Sequence, residues 1–195
     1  MSSEYRGVSA YGGTNGAAGA LPSLVAYRAL LEKLDSHAKR LLARYRGHIA
    51  CGEGCAGCCS LSSVFAVEAC SIVLSAGMMP AEKRRTLFGR AALNPPVSGE
   101  AGRCPFLFNN RCLVYDARPV ICRTHGYPLL VEGKVDYCPK NFTSLRTIES
   151  SFILDLDALN TLLASINIDF TKENKDRRFS RERIEMRDLW KMLGT

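Results

Sequence analysis

From Leu21 to Ala50 apolar residues recur at steps of three and four: Leu24, Tyr27, Leu30, Leu31, Leu34, Ala38, Leu41, Leu42 and Tyr45. That period predicts a long amphipathic helix, whose end is loosened by Gly47 and Gly52. A second helix is predicted from about Ser63 to Met78, capped by Ser62 or Ser63 and stopped before Pro80. Its apolar residues (Val64, Phe65, Val67, Ile72, Val73, Leu74) are almost continuous, so burial on most sides is expected. A third is expected from Pro80 to Leu93, with proline in its first turn and Asn94-Pro95-Pro96 ending it.

The pattern then shortens. Cys104 to Tyr115 reads as two short strands around Asn109-Asn110, because asparagine tolerates the left-handed backbone of a tight hairpin turn. Asp116 is expected to cap a short helix, Ala117 to Thr124, with Pro119 in its first turn. A second hairpin pairs Leu129-Leu130-Val131 with Val135-Asp136-Tyr137 around Glu132-Gly133-Lys134. Helical spacing returns at Leu154, Leu156, Leu159, Leu162, Leu163 and Ile166, and again at Met186, Leu189, Trp190 and Leu193. The charged stretch from Lys172 to Arg183 reads as a linker. The fold class is therefore mainly α with short β-hairpins, a small irregular metal-binding fold framed by helices. Residues 1–20, rich in Gly, Ala and Ser, are expected to form a disordered tail. Residues 21–195 are expected to form a single domain, with 51–138 its cysteine-cluster core and 144–195 a helical extension.

Composition adds chemistry to this frame. Of nine cysteines, four lie in Cys51-Gly-Glu-Gly-Cys55-Ala-Gly-Cys58-Cys59, and four more follow at Cys104, Cys112, Cys122 and Cys138. No long apolar run suggests a membrane span, and the first residues lack the apolar core of a secretory signal. A cytoplasmic, reducing location is the expectation, and there many cysteines call for a reason other than disulfides. Thiolates select zinc, copper(I) or iron–sulfur clusters. Spacings of two and three residues place sulfurs around one centre, and glycines in the gaps let the backbone curl around it. Cys70, in an apolar helical run, reads instead as a packed thiol. The formal charge of +7 suits nucleic acid or an acidic partner. Eight thiolates holding two Zn²⁺ would lower it to +3, so much of the basic excess balances the site and nucleic acid is not an expected partner.

The gaps of seven, nine and fifteen residues between the later cysteines are too long for one knuckle, but hairpins can bring distant sulfurs together. With its cysteine nest and the residues Cys104, Pro105, Phe106, Leu107, Cys112, Tyr115, Arg118, Pro119, Cys122 and Arg123, the chain resembles the zinc- or iron-chelating cysteine-cluster (CxxCxxCC) family over residues 51–138. That resemblance implies zinc or an iron–sulfur cluster as cofactor. A related module accompanies flagellin lysine N-methylases, which adds weight to iron–sulfur but transfers no methylase activity.

Two ligand arrangements are open to these residues. In one, Cys51, Cys55 and Cys58 (or Cys59) join one downstream cysteine in a principal centre, and this is the favoured arrangement. In the other, eight thiolates divide into two four-coordinate zinc sites. Adjacent Cys58 and Cys59 point different ways, so one ion rarely takes both. His125 is the histidine best placed to support a ligand, ahead of His48, while His37 is expected in solvent. Arg118 and Arg123 read as counter-charges to the thiolates or partners of Asp116. Glu53 and Glu68 are carboxylates able to act as general bases beside a metal, with a solvated surface role the simpler expectation.

Three functional classes follow: a metal-binding cysteine-cluster protein, a structural zinc module engaging a protein or nucleic-acid partner, and an iron–sulfur enzyme or accessory factor. The Cys51-x3-Cys55-x2-Cys58 spacing also occurs in radical S-adenosylmethionine enzymes. Their barrel needs alternating strands and helices, which residues 60–100 do not supply. No phosphate loop or hydrolase motif appears.

Overall fold

The fold, obtained as a computed structural model, is described for residues 21–52, 54–93 and 103–194. The expected tail and Glu53 lie outside these residues. Helix α1 (Pro22–Tyr45) opens with proline in its first turn, where a missing N–H costs nothing, and passes through a 3-10 turn, Arg46–His48, toward the cysteine nest. Helices α2 (Ala66–Gly77) and α3 (Ala81–Leu93) follow, then hairpin β2–β3 (Leu107–Phe108 and Arg111–Cys112). After these come the short helix α4 (Val120–Thr124), hairpin β4–β5 (Leu129–Val131 and Lys134–Asp136), α5 (Leu156–Glu173) and α6 (Met186–Gly194). The molecule is mainly α with short β elements.

Both expected hairpins form. Asn109 and Asn110 have φ of 47° and 58°, and Glu132 and Gly133 have φ of 48° and 77°. Two consecutive left-handed residues match the twist of the paired strands. The second turn is one residue shorter than the spacing predicts, so Lys134 joins the strand opposite Val131.

Three expectations change. Residues Ser63–Phe65 are not the first turn of α2 but strand β1, paired antiparallel with β7 (Arg183–Glu185). The partner lies 120 residues away, and β-branched Val64 opposite Ile184 fits a buried pair of strands. For the same reason residues 172–183 are not a mere linker. Phe179 and Ile184 are buried in the main core, and buried Asn167 of α5 accepts from the Val67 N–H at 3.1 Å and donates to the Glu182 carbonyl at 3.2 Å. Ala117 to Thr124 splits into a 3-10 turn, Tyr115–Ala117, and α4, because Pro119 occupies the N-cap position with extended backbone. A last strand, β6 (Leu154–Asp155), runs parallel to β4 and completes a three-stranded sheet.

The main core joins α1, α2, α5 and α6 to Phe106, Val114, Ala117 and Val120 of the middle section. A second, smaller core forms around Leu41, Tyr45 and Phe142, with Tyr137 and Phe152 packed edge-on. His37 belongs near it rather than in solvent. It is buried, within 6.3 Å of the Phe152 ring, and burial followed by the Arg40 charge lowers its pKa. Cys104 and Cys112 pack against the main core, and Tyr137, just before Cys138, packs against the second. Among the described residues no helix is long and apolar enough to cross a membrane.

Candidate metal centre

The nest is built from two successive turns. The Cys55 N–H donates to the Gly52 carbonyl at 3.1 Å, and the Cys59 N–H donates to the Ala56 carbonyl at 3.1 Å. Gly54, at φ 92°, occupies the third position of the first turn, where a side chain would be strained. Cys51 and Cys58 are exposed, while Cys55 and Cys59 are half-buried. All nine cysteines are free thiols.

The downstream cysteines reach the nest by two routes. Hairpin β2–β3 sets Leu107 opposite Cys112, and the Cys104 N–H donates to the Cys59 carbonyl at 2.9 Å. Cys104 and Cys112 both pack against the main core. Cys122 arrives on α4, which is fastened at several points. Arg123 donates to Asp35 Oδ1 on α1 and to the Asp116 carbonyl, each at 2.6 Å, and to the Arg118 carbonyl at 2.8 Å. Arg118 lies over the Tyr115 ring, 3.7 Å from its centroid, and its charge favours the thiolates of Cys112 and Cys122. Arg123 is thus a structural clamp, and Arg118 is the counter-charge near the sulfurs.

Cys138 travels by the second route. Asn141, three residues on, is buried and accepts from the N–H groups of Ala50 and Cys51 at 2.9 and 3.2 Å. Its amide donates to the Gly126 carbonyl at 2.7 Å. Phe142, with φ of 57°, donates its N–H to the His48 carbonyl at 2.7 Å and buries its ring against Tyr45. These bonds seat the Cys138 loop beside Cys51.

The thiols consequently fall into two neighbourhoods. Cys51 lies within the electrostatic reach of Cys55, Cys58 and Cys138. Cys122 is influenced by Cys104, Cys112 and Cys59, and Cys104 by Cys112 and Cys59. Cys59 stands between them, influenced by Cys58 and Cys55 on one side and by Cys112 on the other. Burial pushes the thiols of Cys104 and Cys122 up to about 12 and that of Cys59 up to about 11, and it also raises Cys51 and Cys112. Neighbouring thiolate charge adds to this at Cys51, Cys59, Cys104 and Cys122. Sulfurs crowded in this way repel one another as anions, and a bound cation reverses that balance. Among the described residues no three such side chains already converge closely enough to hold an ion, so ligation needs side-chain rotation. The donor set is otherwise chemically suited to a soft metal.

The remaining sequence candidates stand apart. Cys70 is half-buried against the main core on α2, near Asp176 and Arg178 rather than the nest. His125 is exposed, and His48 Nδ1 is 3.0 Å from Ser144 Oγ. Glu68 is neither solvated nor free for base chemistry. It is 3% exposed, and its two oxygens accept from the N–H groups of Phe65 at 3.0 Å and Val120 at 2.9 Å. Burial raises its pKa, opposed by those same N–H groups and by Arg183. One carboxylate thus caps both α2 and α4 and fixes the helix that carries Cys122. Replacing Glu68 with glutamine sets an NH₂ against one of those donors. We expect a loss of about 1–3 kcal/mol in unfolding free energy, measured by urea denaturation; an unchanged midpoint would remove Glu68 from this role. Asn141 and Glu68 carry no metal-ligand or motif signal in the sequence. Their spacing to Cys138 and to the α2 N-terminus is the only trace.

Against known proteins, residues 50–140 match the model of the CxxCxxCC family, described as "Putative zinc- or iron-chelating domain". No curated protein and no solved structure matches the chain. The matched segment begins at Ala50 and ends just past Cys138, so the part of the chain that is similar to this family holds all eight clustered thiols as well as Cys70.

Proposed function

We propose that this protein chelates metal through two four-thiolate centres, an outer one of Cys51, Cys55, Cys58 and Cys138 and an inner one of Cys59, Cys104, Cys112 and Cys122. The supporting observation is that Asn141 seats the Cys138 loop beside Cys51, while the Cys104 N–H bonds the Cys59 carbonyl and Cys104 and Cys122 lie within reach of Cys112 and Cys59. This favours the two-centre arrangement over the single principal centre that the sequence spacing suggests. Four thiolates close the coordination sphere of zinc and equally satisfy an iron–sulfur cluster. A cluster is the second reading for the outer centre. A Cβ added at Gly52, Gly54 or Gly57 would meet no atom within 4 Å, so no neighbouring group crowds the loop where a larger inorganic core would bind. A reducing cytoplasmic setting keeps such thiols available.

Anaerobic purification without chelators, followed by metal, acid-labile sulfide and thiol quantitation, tests the proposal. Two metal centres per chain are expected. Colourless protein with two zinc and no sulfide selects zinc throughout, and brown protein with sulfide selects iron–sulfur chemistry. Protein carrying neither zinc nor iron above background contradicts the reading.

A further inference from the structure

We propose that the two centres divide their roles: metal enters and leaves the protein at the outer one, while the inner one retains its metal as part of the fold. This rests on the two-centre reading above. Cys51 and Cys58 are exposed at the outer set, on a loop whose glycines are flanked by open space. The fourth member, Cys138, is held to that loop mainly through Asn141 and Phe142. The inner set has no exposed member. Two of its cysteines pack on the main core, Cys104 is bonded to the Cys59 backbone, and Cys122 rides on a helix pinned by Glu68 and Arg123.

Ligand exchange needs a competitor to approach and one protein sulfur to swing away. Both are easier on an exposed loop that opens locally than on elements whose movement disrupts the core. In each exchange a donor atom of the competitor bonds to the metal as the Cys51 or Cys58 sulfur leaves and takes a proton from solvent, with no electron transfer. The competitor suited to such a site is a soft, thiol-bearing metal donor or acceptor.

The test loads the full chain with two equivalents of Zn²⁺ without oxygen and challenges it with excess chromophoric chelator. Release is expected in two phases of equal amplitude, the first at least about tenfold faster, which corresponds to a barrier lower by about 1.4 kcal/mol. Cys51→Ser should abolish the fast amplitude and keep the slow one. Limited alkylation of the zinc-loaded protein, read by mass spectrometry, should label Cys51 and Cys58 before Cys104 or Cys122. Release of both equivalents in one phase, a fast phase that survives Cys51→Ser, or first labelling of the inner set would overturn the division of roles while leaving two centres intact. Uptake of a single equivalent would instead overturn the two-centre reading, and this division with it.

Discussion

Replacing Cys122 with serine is expected to remove one of the two metal equivalents and to lower the unfolding free energy of the loaded protein by more than about 4 kcal/mol. A structural metal bound only by the folded chain adds its binding energy to folding, and a hydroxyl is a poor substitute for a thiolate ligand. The loss should spread, because α4 packs on α1 through the Arg123–Asp35 ion pair and shares Glu68 with α2. Cys70→Ser is the matched control. Cys70 is also half-buried, and burial likewise pushes its thiol up to about 11, yet it stands on α2 away from the other cysteines. That variant should keep both metal equivalents and lose only about 1 kcal/mol. Metal analysis and urea unfolding on the two variants decide the matter, and equal metal loss from both would contradict the ligand assignment.

Asn141→Ala should have the next largest effect, although the residue is no ligand. Its side chain ties the backbone of the adjacent Ala50 and Cys51 to that of Gly126, far along the chain. Truncation leaves two N–H groups and a carbonyl without their partner, for an expected cost of about 2–5 kcal/mol. It also frees the Cys138 loop from Cys51, so the affinity of the outer centre should fall about 10–100-fold, the usual effect of removing a group that orients a ligand. Asn141→Asp keeps the acceptor for Ala50 and Cys51 but loses the bond to Gly126, so it should fall between the two. The site is tight enough for this to register: Gly126 has φ of 87°, and a Cβ there would come 3.3 Å from Asn141 Nδ2 and 3.4 Å from the Cβ of Cys138. Chelator competition and urea unfolding measure the two effects separately. Unchanged outer-centre affinity in a destabilised Asn141→Ala protein would limit Asn141 to a folding role.

Much of the architecture is legible in the amino-acid sequence. The three-and-four spacing of Leu24 through Tyr45 places α1, Asn109-Asn110 places one hairpin turn, and Glu132-Gly133-Lys134 locates the second to within one residue. These signals are local: a helical face repeats within a few residues, and a left-handed turn selects its residues directly. The thiol-rich chemistry is equally plain, because Cys spacing with glycine in the gaps needs no distant information.

Tertiary structure decides what depends on distant partners. Ser63–Phe65 is a strand only because Arg183–Glu185 lies beside it, and Glu68 leaves the helix surface only because α4 offers the Val120 N–H. His37 falls on a helix face that reads as polar, yet Phe152 packs beside it. The same holds for the cysteines. The folded chain brings Cys138 to Cys51 and Cys104 to Cys59, neighbours that the spacing within the nest does not encode. Periodicity reports which side of an element is apolar, but contacts between residues far apart in the chain follow from how the elements pack, and no local pattern encodes them.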